Sequence, residues 1–114
     1  MRAIIINAQH RTITETDIDA SLHSLQTIVG GLIEPVTYGL DDHHHCYVNE
    51  EGLLDNSQHF FMFRDGHQPL AGNGVILSST DDGDETACTL PLDWVIERVT
   101  FMDLAAAYEW CRSH

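Results

Sequence analysis

Two β-type runs joined by a polar connection decide the fold of this chain: Leu32-Ile33-Glu34-Pro35-Val36-Thr37-Tyr38 and His45-Cys46-Tyr47-Val48-Asn49. The connection, residues 39–44, is rich in Asp and His, so we expect the two strands to pair antiparallel. Pro35 has no amide hydrogen to donate to a sheet ladder. The first strand should therefore lie at a sheet edge or carry a bulge at that position.

The segments before these strands predict a β-hairpin followed by a helix. Residues 3–6 and 12–18 are β-type runs around a polar break, which is typical of a hairpin. Asp19 is the expected N-cap of the helix, and the Gly30-Gly31 pair is its expected end, because Gly adopts the left-handed cap conformation without a Cβ clash.

The segments after them contain one clear strand and two ambiguities. Residues 75–79 predict a strand, whereas residues 91–99 are compatible with a short helix or a strand. Residues 60–63 are all apolar, so periodicity does not separate a buried strand from one helical turn. Thr100 is the expected N-cap of a second helix that runs to about Cys111.

This order of elements predicts an α+β fold in a single domain over residues 1–114. We expect a small antiparallel or mixed sheet of about five strands, with two helices packed on one face. A chain of 114 residues is long enough to bury one hydrophobic core.

The charge of the chain excludes some partners. Five Arg and no Lys stand against 18 acidic residues, which gives a formal charge of −13. This balance argues against direct binding of nucleic acid, which needs a basic surface, and against adhesion to an anionic membrane. The chain has no apolar run of membrane-spanning length and no signal-peptide pattern, so we expect a cytoplasmic protein. Its three Cys are too few and too widely spaced for a disulfide framework.

Four stretches together resemble a known family: residues 11–15, residues 25–34, residues 47–54 and Asp81-Asp82-Gly83-Asp84. Their order and spacing are similar to the domain of unknown function 3846, over roughly residues 3–90, with the helix of about residues 100–112 beyond it. The family is small and bacterial and is often encoded by phages, plasmids and other mobile elements. The resemblance implies this context and no particular chemistry. Residues 60–63 depart from the family pattern, which has a small-residue helical stretch there.

The His43-His44-His45-Cys46 run contains good ligands for zinc, copper or nickel. We consider His43, His45 and Cys46 as candidate metal ligands. Alternation along a strand allows only two ligands on each face, and a structural zinc site needs four. The alternative is a solvated turn with one buried Cys.

Two acidic segments contain candidate binding residues. The first is the turn Asn49-Glu50-Glu51-Gly52, where two carboxylates are suited to acid–base work or to a divalent ion, although these residue types are also ordinary in turns. The second contains Asp81, Asp82 and Asp84. It lacks the bidentate Glu of an EF-hand loop, because the twelfth position from Asp81 is Leu92, so the alternative is a solvated acidic loop.

Catalytic and cofactor motifs are absent from the sequence: there is no nucleophile elbow, P-loop, H-E-x-x-H or Rossmann fingerprint, so we expect no cofactor and no catalytic residues. The alternative is an enzyme that uses a Cys and a His; Cys46 beside His45 is the adjacent pair, although strand geometry points the two side chains to opposite faces.

The leading hypothesis is a non-catalytic module that binds a host or element-encoded protein. A specific version is nucleic-acid mimicry toward a basic partner, in which carboxylates imitate phosphates; they are Asp41-Asp42, Glu50-Glu51 and Asp81-Asp82-Asp84-Glu85. The alternative is a domain that binds a small molecule or divalent metal through the Asn49–Gly52 turn and nearby histidines. A homodimer is a third hypothesis.

Overall fold

The computed structural model describes residues 1–37, 39–51, 58–66 and 68–114. It contains nine strands and three helices within these ranges. In chain order they are β1 (Arg2–Asn7), β2 (Thr12–Asp17), α1 (Leu22–Val29), β3 (Ile33–Val36), β4 (His44–Asn49), β5 (His59–Phe63), β6 (Leu70–Ala71), β7 (Asn73–Ser79), β8 (Glu85–Thr86), α2 (Leu92–Arg98), β9 (Val99–Asp103) and α3 (Leu104–Ser113).

The larger sheet, sheet A, has the strand order β2-β1-β7-β4-β3, and the short β8 also pairs with β7. All of its pairings are antiparallel. The predicted β1–β2 hairpin and the predicted pairing of β3 with β4 are confirmed. The strand with Pro35 lies at the edge of the sheet, as its missing amide hydrogen requires.

A second, three-stranded sheet was not expected from the sequence. Sheet B has the order β6-β5-β9 and is also antiparallel. The ambiguous residues 60–63 belong to its central strand. Phe61 and Phe63 join the main core against sheet A, whereas Phe60 contacts Ala107 of α3 on the opposite side.

The helices pack on different layers, so the expectation of two helices on one face of a single five-stranded sheet is wrong in detail. Helix α1 covers one face of sheet A through Leu25 and Val29. Sheet B and Val95 of α2 cover the other face. The C-terminal helix α3 lies on the outer face of sheet B. The α+β class and the antiparallel pairing are confirmed, and the described residues form more strands and one more helix than expected.

Gly74 shows why the two sheets approach closely. A Cβ at this position would lie 2.7 Å from Cys46 Sγ and 2.8 Å from Phe61 Cζ. Both of these neighbours are fully buried. The missing side chain in β7 therefore makes room for an aromatic ring of sheet B.

The N-caps of α1 and α3 lie two and three residues later in the chain than the sequence predicted. The N-cap of α1 is Ser21, whose Oγ accepts a hydrogen bond from Ser24 N at 3.2 Å, whereas Asp19 accepts from Ser21 N. The N-cap of α3 is Asp103, which accepts from Ala106 N at 2.8 Å. Thr100 is instead part of β9, where it pairs with Met62. The expected end of α1 at Gly30 is confirmed, with a φ of 86°.

No helix among the described residues is long and apolar enough to cross a membrane.

Candidate functional site: the acidic end of sheet A

Antiparallel pairing of β4 with β7 brings two acidic segments to the same end of sheet A. His44 lies opposite Ser78, so the residues before β4 and those after β7 are neighbours. Ser79 N and Ser78 Oγ both donate to the carbonyl oxygen of His43, at 3.0 and 2.9 Å. We call the carboxylates gathered here the acidic end; they are Asp41, Asp42, Asp81, Asp82, Asp84 and Glu85. All are exposed except Glu85, which is half-buried.

The turn between β7 and β8 holds three of these carboxylates in a defined loop. Thr80 N donates to Asp84 O, and Gly83 N donates to Thr80 O, both at 2.9 Å. The hydroxyl of Thr80 accepts from Asp84 N at 3.1 Å. Gly83 has a φ of 89°, a conformation that Gly adopts without a Cβ clash. The loop is thus fixed by its backbone, and its carboxylates face solvent.

His44 links this end to the segment that follows β8. Its Nδ1 lies 2.7 Å from Asp41 Oδ1, and its Nε2 accepts a hydrogen bond from Thr89 N at 3.1 Å. The hydroxyl of Thr89 lies 3.2 Å from the same Nε2. Because Nε2 accepts an amide hydrogen, the ring proton resides on Nδ1 and is donated to Asp41.

The pKa of Asp41 is lowered from its usual value. Partial burial raises it, but hydrogen bonds from the His44 side chain and from the backbone amides of His43 and His44 outweigh that effect. Asp41 is therefore held as a carboxylate.

Arg2 fixes the segment that carries Thr89. Its guanidinium donates to the carbonyl oxygens of Cys88 and Leu90, at 2.8 and 2.9 Å, and forms an ion pair with Glu15. The charge of Arg2 is thus used within the fold and does not neutralise the exposed carboxylates of the acidic end.

His45 points to the opposite face of sheet A, toward Tyr47 and Glu85. Its Nε2 lies 3.2 Å from Glu85 Oε1, an ion-pair distance without hydrogen-bond geometry. The hydroxyl of Tyr47 donates to the same carboxylate, and the rings of His45 and Tyr47 meet edge to face. Within the described part of the chain, His45 Nε2 and Glu85 Oε2 are buried without a hydrogen-bond partner.

Burial raises the pKa of the Tyr47 hydroxyl, and the neighbouring Glu85 carboxylate raises it further by hydrogen bonding and by its charge. Tyr47 is therefore a neutral donor to Glu85 across the physiological range.

The three predicted metal ligands do not converge. His43 is exposed before β4, His45 faces the α1 side, and Cys46 faces the core between the two sheets. Among the described residues there is no group of three or more His, Cys, Asp or Glu placed to hold a metal ion. Burial also raises the pKa of the Cys46 thiol.

The predicted Asn49–Gly52 turn lies at the other end of β4, roughly 17 Å from His44 at 3.4 Å per residue. Asn49 Oδ1 accepts from Glu51 N at 2.9 Å, which is ordinary turn chemistry. Asn49 and Glu50 line a small cavity of about 60 Å³ together with Glu34. Gly52 lies outside the described residues. The histidines of β4 are therefore not near this turn.

The sequence indicated Asp81, Asp82, Asp84 and Glu85 as an acidic loop, but it did not predict the contact of His44 with Thr89 or that of Tyr47 with Glu85. The alternation of β4 already indicated that His44 and His45 face opposite sides. Asp41 is close to His44 in sequence, but Thr89 and Glu85, which contact His44 and His45, lie 45 and 40 residues further along the chain, and no local pattern links such distant positions.

A family model described as a domain of unknown function, DUF3846, matches residues 1–102. The match includes the whole acidic end and leaves out α3. No curated protein and no solved structure matches the chain.

Proposed function

This chain belongs to the DUF3846 family, and we propose that it is a non-catalytic protein-binding module that presents the acidic end of sheet A to a basic partner protein. The partner is encoded by the host or by a mobile element, in a cytoplasmic setting. In its most specific form the proposal is nucleic-acid mimicry, with carboxylates standing in for phosphates in a basic groove.

One observation carries this proposal: the β4–β7 pairing joins two acidic segments that are more than 30 residues apart in sequence. Among the described residues, the ion pairs of arginine involve Glu15, Glu97 and Glu109. None of these belongs to the acidic end. Two carboxylates of the acidic end, Asp41 and Glu85, contact His44 and His45, and its other four carboxylates are in none of the ion pairs formed by the described residues. The negative charge there is thus available to a partner and favours long-range steering of a basic protein.

The hydrogen bonds of His44 support a non-catalytic role. Asp41, His44 and Thr89 stand in the order of a carboxylate–imidazole–hydroxyl triad. A general base needs a free lone pair on Nε2 to take the hydroxyl proton, and here that lone pair accepts the amide hydrogen of Thr89. The arrangement therefore favours a structural role for His44, which holds Asp41 and Thr89 in place, over activation of Thr89 as a nucleophile.

The test is capture of purified basic nucleases and restriction subunits by the immobilised chain, at low and high salt. In the first variant Asp81, Asp82 and Asp84 are all replaced by Asn. The matched control replaces Glu34, Glu50 and Glu51 by Gln, which removes the same charge at the other end of β4. We expect the first variant to lose capture by about tenfold or more, the control to retain it, and salt to weaken it. Equal losses in both variants, or capture that is insensitive to salt, would contradict the proposal.

A second candidate function is favoured by the cavity at the Asn49 turn. Glu34 and Glu50 are among the residues that line it, and carboxylate oxygens are suitable ligands for a divalent cation. A thermal-shift screen with nucleotides and divalent metals separates the two functions. A ligand present at 100 times its Kd should stabilise the fold by about 2.7 kcal/mol. The shift should disappear in Glu34→Gln if the cavity is the site.

A further inference from the structure

Strand β2 is an edge of sheet A, and half of its backbone groups point away from the sheet. Met1 and Ile18 exchange two hydrogen bonds, Ile18 N to Met1 O at 2.8 Å and Met1 N to Ile18 O at 2.9 Å. Hydrogen-bonded and non-hydrogen-bonded pairs alternate along an antiparallel ladder, so the three Thr residues of β2 bond to β1. The N–H and C=O groups of Ile13, Glu15 and Asp17 point outward and have no backbone partner within the described part of the chain.

An apolar groove of about 330 Å³ borders this edge. It is lined by Arg11, by Ile13 of β2, by the exposed Ile96 of α2, and by Val99 and Phe101 of β9. Strand β9 is an edge of sheet B, so the groove lies where one edge of each sheet is open. No carboxylate is among the residues that line it.

Arg11 is the one charged residue that lines the groove. It is exposed and has a φ of 55°, which is uncommon for a residue other than Gly, Asn or Asp. Among the described residues, the arginines in ion pairs are Arg2, Arg98 and Arg112. The charge of Arg11 is thus available, and a guanidinium beside an apolar wall fits a ligand that joins a carboxylate to an apolar group.

We propose that β2 and this groove bind the C-terminal strand of a partner protein that ends in an apolar residue. Such a strand adds to the outward backbone groups of β2, as extended peptides do at exposed sheet edges. An antiparallel strand runs toward Arg11, so its terminal carboxylate meets the guanidinium. A parallel strand would end beside Asp17, where like charges repel.

The alternation of side chains fixes the register of the bound strand. Its last residue lies opposite Ile13 and on the same face of the extended sheet, so its side chain enters the groove. The free backbone groups of β2 favour a peptide over other apolar carboxylates. The guanidinium of Arg11 favours a chain end over an internal strand.

The test is fluorescence anisotropy of a labelled peptide, Thr-Ser-Arg-Thr-Val, with a free C-terminal carboxylate. Amidation of that carboxylate should weaken binding by about tenfold or more, and so should Arg11→Gln. Arg112→Gln is the matched control, because it removes the same charge on α3, and it should bind like the wild type. Replacement of Asp81, Asp82 and Asp84 by Asn should also leave the affinity unchanged, which separates this site from the acidic end.

Methylation of single amides in the peptide tests the strand register. The amide of the peptide's Arg faces Glu15, so its methylation should abolish binding, whereas the amide of the following Thr points away from β2 and tolerates a methyl group. Arg11→Gly suits the left-handed backbone and should also lose binding, so misfolding is not the cause of the loss. The proposal is overturned if the free-carboxylate peptide does not bind at millimolar concentration, if the amidated peptide binds equally well, or if both methylated peptides bind alike.

Discussion

His44 and His45 are adjacent in β4 but have different side-chain partners, because their side chains lie on opposite faces of the strand. His44 faces the core between the sheets and has partners on both ring nitrogens, Asp41 and Thr89. His45 faces the α1 side, where Nε2 meets Glu85 without a hydrogen bond. Alternation along a strand therefore divides the histidine run into two separate networks.

Asp41→Asn should reduce stability at neutral pH and remove part of the acid sensitivity of the fold. The folded-state pKa of Asp41 lies below its unfolded value, so its contribution is fully present above the unfolded pKa and is lost as pH falls through the folded pKa. The side chain is half exposed, so the effect should be below about 1 kcal/mol. Urea unfolding between neutral pH and pH 3 measures it. Asp42→Asn removes a neighbouring charge and is the control; if it behaves identically, the His44 contact is not the cause.

The three thiols should differ in reactivity. Burial raises the pKa of Cys46 and of Cys88, whereas Cys111 is exposed on α3. Because the thiolate is the reactive form, we expect a chromogenic disulfide reagent to modify one thiol rapidly in the native chain and all three after unfolding. Fast modification of a second thiol in the native state would show that the core is more open than described.

At the scale of elements, the sequence predicted the features that depend on neighbouring residues. It did not predict the contacts between segments that are far apart in the chain. The β1–β2 hairpin follows from alternation around a polar break, and the end of α1 follows from Gly30. Residues 60–63 were ambiguous because β5 lies between two layers, so both of its faces are apolar and no alternation is visible. The acidic segments were each predicted, but their shared location depends on the β4–β7 pairing.

Gly74→Ala should destabilise the fold by about 1–3 kcal/mol, because the added Cβ overlaps Cys46 and Phe61 in the core. Urea unfolding measures the loss. The double variant with Cys46→Ala gains space at one of the two contacts, so it should be more stable than the sum of the two single effects predicts. Strict additivity of the two substitutions would show that the added Cβ does not overlap Cys46.

Asp103→Ala should destabilise α3 by about 1 kcal/mol, because the amide of Ala106 loses its acceptor. Far-ultraviolet circular dichroism should show reduced helix content, while Asp103→Ser retains the cap and should restore it. Thr100→Ala should leave the helix intact, because Thr100 lies in β9. A loss of helix in Thr100→Ala alone would place the start of α3 where the sequence first indicated it.

At the scale of the whole molecule, four layers follow one another in the order α1, sheet A, sheet B and α3. The acidic end lies on sheet A, where β4 begins and β7 ends. A partner bound there need not contact α3, the last layer.

The most direct measurement of the central claim is an amide nitrogen–proton NMR titration of the full chain with an arginine-rich peptide at low salt. Resonances of residues 41–45 and 79–86 should shift most, and the shifts should shrink as salt is added. Shifts of equal or greater size at Glu34, Glu50 and Glu51 would contradict the claim, because the acidic end of sheet A would then have no special affinity for a basic partner.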